Sequence, residues 1–176
     1  MDRKKRWFGI IAAILVVSGI LCFLYFRMTE PVWNDMQIKS SASLKVGQDW
    51  KEANETLIKE GLTVNHKLSF IRQYEDTDEI GMMILCDEEE QKITMLHYDI
   101  ISDHNETKVY LAGIDVREST YMDVFKKIGN ERFKQSVGDT TIYMWRKGKL
   151  MLLLETDPKG NITAFTISDS TKLESE

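Results

Sequence analysis

An uncharged run opens the pattern: from Trp7 to Phe26 the chain reads WFGIIAAILVVSGILCFLYF, twenty residues without a charge. At 1.5 Å per residue, a helix of that length spans about 30 Å, the thickness of a bilayer's hydrocarbon core. Trp7 and Tyr25 stand near its two ends, where amphipathic aromatic rings favour the interface. Arg3, Lys4, Lys5 and Arg6 precede it and Arg27 alone follows closely, so the positive-inside rule puts the N-terminus in the cytoplasm. The pattern predicts a cytoplasmic tail over 1–6 and a single-pass transmembrane helix over 7–26. This signal-anchor would hold the remaining chain outside the cell membrane. A cleaved signal peptide is disfavoured because Ile20 to Tyr25 stay apolar beyond Val17-Ser18-Gly19. Bulky Leu21 before Cys22 disfavours a lipoprotein, and the flanking cations disfavour a buried core helix.

After this run the pattern turns polar and then alternates. Residues 27–43, with Pro31 and the serines around 40–43, read as a short linker. Asp49 and Glu52 form a capping-box pattern ahead of WKEANETLIKEG, whose Trp50, Ala53 and Leu57 share a helical face before Gly61 stops it. Strand-like runs follow at 68–74, 80–86, 92–100 and 108–114, rich in Ile, Tyr, Phe, Thr and Met. A second helix is predicted from Thr120 to Ile128, with Tyr121, Val124, Phe125 and Ile128 as its apolar face and Gly129 as its stop. Three more strands are expected at 140–146, 149–155 and 161–167, joined by the turns Lys147-Gly148 and Asp157–Gly160. Residues 169–176 read as a polar tail.

Helix then strands, repeated once, defines an α+β class for residues 44–168. Two arrangements satisfy it. One has tandem helix-meander units at 44–100 and 108–168, each too small to bury a generous core alone. The other is a single irregular α+β domain.

The second half contains ESTYMDVFKKIG and then TTIYMWRKGKLMLLLETDPKGNITAFTI. Through Ser119, Thr120, Ile128, Gly129, Tyr143, Trp145, Asp157, Gly160 and Ile162 it resembles small bacterial envelope domains of the BamE and beta-lactamase-inhibitor-protein type. The resemblance covers some fifty residues of that half, without a convincing lipid-acceptor Cys. It implies a protein-binding or assembly role and no catalysis.

Charge narrows the partners. The chain carries 23 Lys and Arg against 28 Asp and Glu. Removing Arg3, Lys4, Lys5, Arg6 and Arg27 from the first and Asp2 from the second leaves 18 against 27 from residue 28 onward. That acidic body argues against nucleic acid, whose binders show a basic patch.

Candidate chemistry is sparse. The three histidines are His66, His97 and His104, and the run from His97 to His104 also holds Asp99 and Asp103. Imidazole and carboxylate suit zinc, and alternation puts His97 and Asp99 on one face of a strand, so His97, Asp99, Asp103 and His104 are the candidate metal ligands. The bland alternative is a strand end with two ordinary histidines. Cys86 ends an apolar strand before four acidic residues, a setting that opposes a thiolate and predicts a buried, inert thiol. No Gly-x-Ser-x-Gly elbow, phosphate loop or His-Glu-x-x-His motif occurs, so no catalytic residues and no cofactor are expected.

What remains is surface. On the strand over 140–147, Ile142, Met144 and Arg146 alternate with Tyr143, Trp145 and Lys147. One set is core and the other faces solvent. Tyr, Trp and Arg dominate protein interfaces, so Tyr143, Trp145, Arg146 and Lys147 are the candidate binding residues. The expected function is a membrane-anchored extracytoplasmic module that binds another protein in an assembly, inhibitor or immunity role. The bilayer would be its second partner through residues 7–26. The alternative is an extracytoplasmic sensor or carrier for a metal or small ligand.

Overall fold

Strict alternation of apolar and polar residues along successive strands lets one face of a sheet be buried while the other meets solvent. The computed structural model describes residues 16, 18, 29–39, 41–65, 70–73, 79–87 and 89–173. Val32–Glu176 forms one compact unit.

Twelve strands and three short helices occur among the described residues. The strands are β1 (Met36–Ile38), β2 (Ala42–Leu44), β3 (Leu62–Asn65), β4 (Phe70–Gln73), β5 (Glu79–Cys86) and β6 (Ile93–Asp99). They continue as β7 (Val109–Leu111), β8 (Ile114–Asp115), β9 (Phe133–Val137), β10 (Thr140–Lys147), β11 (Leu150–Thr156) and β12 (Ile162–Asp169). The helices are α1 (Trp50–Lys59), α2 (Tyr121–Ile128) and α3 (Ser170–Leu173). Eight strands form one antiparallel sheet in the order β3-β4-β5-β6-β12-β11-β10-β9, and β2-β1-β7-β8 form a second. Each half of the large sheet is thus a four-strand meander preceded by a helix, and the halves meet where β6 pairs with β12.

Register decides what the inner face buries. Tyr143, Leu154, Phe165, Tyr98 and Met82 lie opposite one another across β10, β11, β12, β6 and β5. Trp145, Leu152, Ile167, Leu96 and Ile84 form the adjacent row. All of these side chains are buried, each contributing about 1.5–3 kcal/mol of transfer free energy. The same core takes in Ala53 and Leu57 of α1, Val124 of α2, and Met36, Ile38, Ala42, Leu44, Val109 and Leu111 of the small sheet. Tyr121 of α2 stacks on Tyr143 with ring centroids 3.8 Å apart. Trp145 donates its indole N–H to the Gly129 carbonyl at 2.9 Å, satisfying its one polar group inside the core.

Both longer helices start on side-chain caps. Asp49 Oδ1 accepts from the backbone N–H groups of Lys51 and Glu52, and Asp123 accepts from the Thr120 N–H at 3.0 Å. Gly129, at φ 88°, lets the chain leave α2 in a conformation that disfavours a Cβ.

The structure corrects several expectations. The molecule is mostly antiparallel sheet, where an α+β domain behind a transmembrane helix is expected. No helix among the described residues is long and apolar enough to cross a membrane. A span needs about twenty apolar helical residues, whereas the longest described helix, α1, has ten. The span expected over 7–26 lies outside the described residues save Val16 and Ser18, as do Trp7, Tyr25, Arg3, Lys4, Lys5 and Arg6. The single-pass, signal-anchored placement at the cell membrane, with an extracytoplasmic domain, is therefore set aside.

The expected linker over 27–43 is also revised. Its residues 36–38 and 42–43 lie in β1 and β2, and Met36, Ile38 and Ala42 have no exposed surface. Runs of three residues are too short for periodicity to reveal, and the intervening polar residues mask them. Asn34, buried in the same stretch, accepts from the Val46 N–H and donates to the Val46 carbonyl, both at 3.1 Å.

Candidate functional site

The outward side chains of the large sheet are chemically unlike a solvated face. One row runs Phe133, Met144, Leu153, Thr166, His97 and Met83 across β9, β10, β11, β12, β6 and β5. The next runs Arg146, Met151, Ser168, Met95 and Leu85. Met83, Met95, Met144, Met151 and Leu153 are half-buried, while Phe133 is 48% and Leu85 36% exposed. None of these apolar residues belongs to the core cluster or packs against it. Contiguous exposed apolar surface of this kind marks interaction sites, and unbranched Met side chains can re-pack against different partners.

Strand β12 gives the face its relief. Its outward residues Ala164, Thr166 and Ser168 are small, while β11 presents Met151, Leu153 and Glu155 on one side and β6 presents Met95, His97 and Asp99 on the other. Ala164 and Ser168 are buried between these larger neighbours, and the Ser168 hydroxyl has no hydrogen-bond partner. The result is a shallow trough along β12, closed over at Ser168, which has no exposed surface, and opening at Ala164 into a hollow.

The two ends of the trough differ in charge. At one end His97, Asp99, Asp139, Glu155 and Asp157 line a hollow of about 470 Å³ with Ala164 on its floor. At the other, Arg146 donates to the Ser170 hydroxyl at 3.2 Å. There Lys172 of α3 bridges Asp87 at 2.7 Å and Glu90 at 3.2 Å, tying the C-terminal helix to the β5–β6 turn. The Lys172 hydrogen bond and the turn's backbone N–H groups hold the Asp87 carboxyl down to about 2.

Two of the four candidate binding residues lie on the wrong side for contact. Tyr143 and Trp145 are buried on the inner face, where the stacked rings of α2 need aromatic partners. Arg146 is exposed on the outer face, and Lys147 follows the inner parity at the strand end, half-buried. Alternation already sets Ile142 and Met144 opposite the aromatic pair, but the face they share becomes visible only once four other strands align beside β10.

Of the candidate metal ligands, His97 and Asp99 line the same hollow, while Asp103 and His104 lie away from it. His97 Nδ1 contacts the Thr166 hydroxyl at 2.9 Å. Asp99 caps the following turn, accepting from the Ile101 N–H and from the Ser102 hydroxyl. Asp103 turns inward, fully buried, and accepts from Tyr98 Oη at 2.7 Å and from Arg117 Nη2 at 3.0 Å. His104 is exposed. Among the described residues, no three His, Cys, Asp or Glu side chains are grouped to hold a metal. His66 lies outside those residues. Cys86 is exposed instead of buried, because a register shift between Leu85 and Cys86 breaks the alternation at the strand end. Partial desolvation still pushes its thiol up to about 11, which keeps it protonated near neutral pH.

No family model matches the chain. No curated protein matches it either. Among solved structures it is similar to a DUF4309 family protein (YjgB) from Bacillus subtilis subsp. subtilis str. 168, at 12% identity and a TM-score of 0.37. The match covers 53% of this chain and 60% of that one, a similarity too slight to assign a shared fold.

Proposed function

We propose that this chain is a protein-binding module, of the kind that serves as an assembly factor, inhibitor or protector, and that it acts by docking and not by catalysis. The observation that carries this reading is the open outer face of the large sheet, a continuous surface of Met83, Met95, Met144, Met151 and Leu153 that no core residue covers. Leaving so much thioether and hydrocarbon half-exposed forgoes stabilisation that burial would supply. A docked partner recovers it.

The test is panning of a displayed random-peptide library against the full chain. Enriched peptides are expected to lose binding on Leu153→Lys and to keep it on Met122→Lys. Met122 is a 50% exposed methionine on α2, an element of the opposite face. Met144→Gln, which removes apolar contact without adding charge, should weaken the same peptides if Leu153→Lys disturbs folding. Enriched peptides indifferent to both outer-face variants, or no enrichment at all, would overturn the proposal.

A further inference from the structure

We infer that the occupant of this face is a protein segment whose apolar side chains lie in the β12 trough and whose lysine or arginine end sits over Asp99 and Glu155. The inference rests on the docking reading above and adds the chemistry of the partner. Three observations carry it.

First, the apolar walls end against a cluster of carboxylates. Asp99 and Glu155 flank Ala164 directly in register, and Asp139 and Asp157 line the same hollow of about 470 Å³. Second, that charge is uncompensated. None of the four forms an ion pair among the described residues, whose bridges lie at Asp103, Asp123, Asp169, Asp87 and Glu90. Asp99 and Asp157 accept only from neutral donors, which orient a carboxylate without cancelling its charge. Four like charges around one concavity focus a negative potential, so a cation placed there interacts with several of them.

Third, the opposite end carries Arg146, so the face is polar along its length and favours one direction of the segment over the reverse. A single extended segment suits this face, since it can run along β12 over the side chains of the flanking strands. An anionic lipid surface would be repelled by the carboxylates that attract the basic segment.

The experiment measures fluorescence polarisation of two labelled twelve-residue peptides with the full chain. One has two lysines at one end and leucine or phenylalanine at alternate positions thereafter; its twin carries two glutamates in place of the lysines. The lysine peptide is expected to bind about ten-fold more tightly at low salt, with the advantage shrinking as salt rises. Leu153→Lys should abolish binding of both. Glu155→Lys, or Asp139→Lys if the first variant misfolds, should remove the preference while sparing apolar contact.

If the twins bind equally but remain sensitive to Leu153→Lys, the inference fails and the docking reading stands. If binding ignores Leu153→Lys, both fail. If neither peptide binds, the inference fails and the panning result alone decides the docking reading. Self-association of the chain abolished by Leu153→Lys, or Leu153-dependent capture by phosphatidylglycerol vesicles, would make the occupant a second copy or a membrane and would also overturn it.

Discussion

Asp103 is the most informative residue to remove, because its carboxylate anchors a loop to the core from a fully buried position. Its side chain has no exposed surface. Oδ2 accepts from Tyr98 Oη at 2.7 Å, from Arg117 Nη2 at 3.0 Å and from the Thr107 N–H at 3.0 Å, and Oδ1 accepts from the Asn105 N–H at 3.0 Å. Asp103→Ala deletes all four bonds and strands the Thr107 N–H and the Arg117 charge. Breaking a buried ion pair by removing one partner costs about 3–5 kcal/mol. Two features move this case toward the lower end. Arg117 is 27% exposed and can recover some hydration, and the Tyr98 hydroxyl retains the Thr107 carbonyl at 3.3 Å.

The expected loss from Asp103→Ala is therefore about 3–4 kcal/mol. With a urea slope of about 2 kcal/mol per molar, the midpoint should fall by about 1.5–2 M. Tyr98→Phe removes one donor, leaves the carboxylate its remaining three bonds, and should cost only about 1 kcal/mol. The double variant should lose less than the sum, because the Tyr98–Asp103 hydrogen bond that Tyr98→Phe removes is already absent once Asp103 is gone. A midpoint shift below about 0.5 M for Asp103→Ala, or a Tyr98→Phe cost equal to it, would refute the claim that this carboxylate organises the loop.

Three further outcomes follow from the same structure. A Cβ at Gly81 would stand 2.2 Å from the Asp99 carbonyl oxygen and 2.8 Å from the Asp103 nitrogen, both backbone atoms. Gly81→Ala should cost about 1–3 kcal/mol or more in a urea melt, and an unchanged midpoint would show that the β5–β6 contact yields freely. Burial raises the Tyr98 and Tyr121 phenols above their ordinary value near 10. Because the folded value exceeds the unfolded one, this contribution is intact below about pH 10 and is lost as pH rises further. Stability should decline from about pH 10 upward, less steeply in Tyr98→Phe, and identical slopes would contradict the assignment. Finally, Lys172→Met should raise Asp87 from about 2 toward its ordinary value, as followed by carboxyl NMR titration. Asp87's depressed value makes its contribution present above about pH 4 and lost as pH falls toward 2. An unchanged Asp87 titration would mean that α3 is not held by this bridge.

Local chemistry made part of this molecule legible in the sequence. The Asp49 and Thr120 starts, the Gly129 stop and the strands β5, β6, β10, β11 and β12 follow from caps, turn residues and alternation, which act over a few residues. Hydropathy alone also suggests a membrane span over 7–26, whereas no helix among the described residues is long and apolar enough to cross a membrane. Three features depended on partners outside the segment that carries them. Met36–Ile38 and Ala42–Leu44 become strands because β7 supplies a third edge some seventy residues away. Asp103 leaves the histidines and turns into the core, where Tyr98, Arg117 and the Thr107 and Asn105 N–H groups satisfy its carboxylate. And the alternation in β10 could state that Tyr143 and Met144 face opposite ways, yet not which way is in. Tertiary packing makes that choice: Tyr121 stacks on Tyr143 among the buried rows of the inner face, and the methionines of β5, β6, β10 and β11 are left as one surface. Periodicity is a property of one segment, whereas a face exists only once register has brought several segments together.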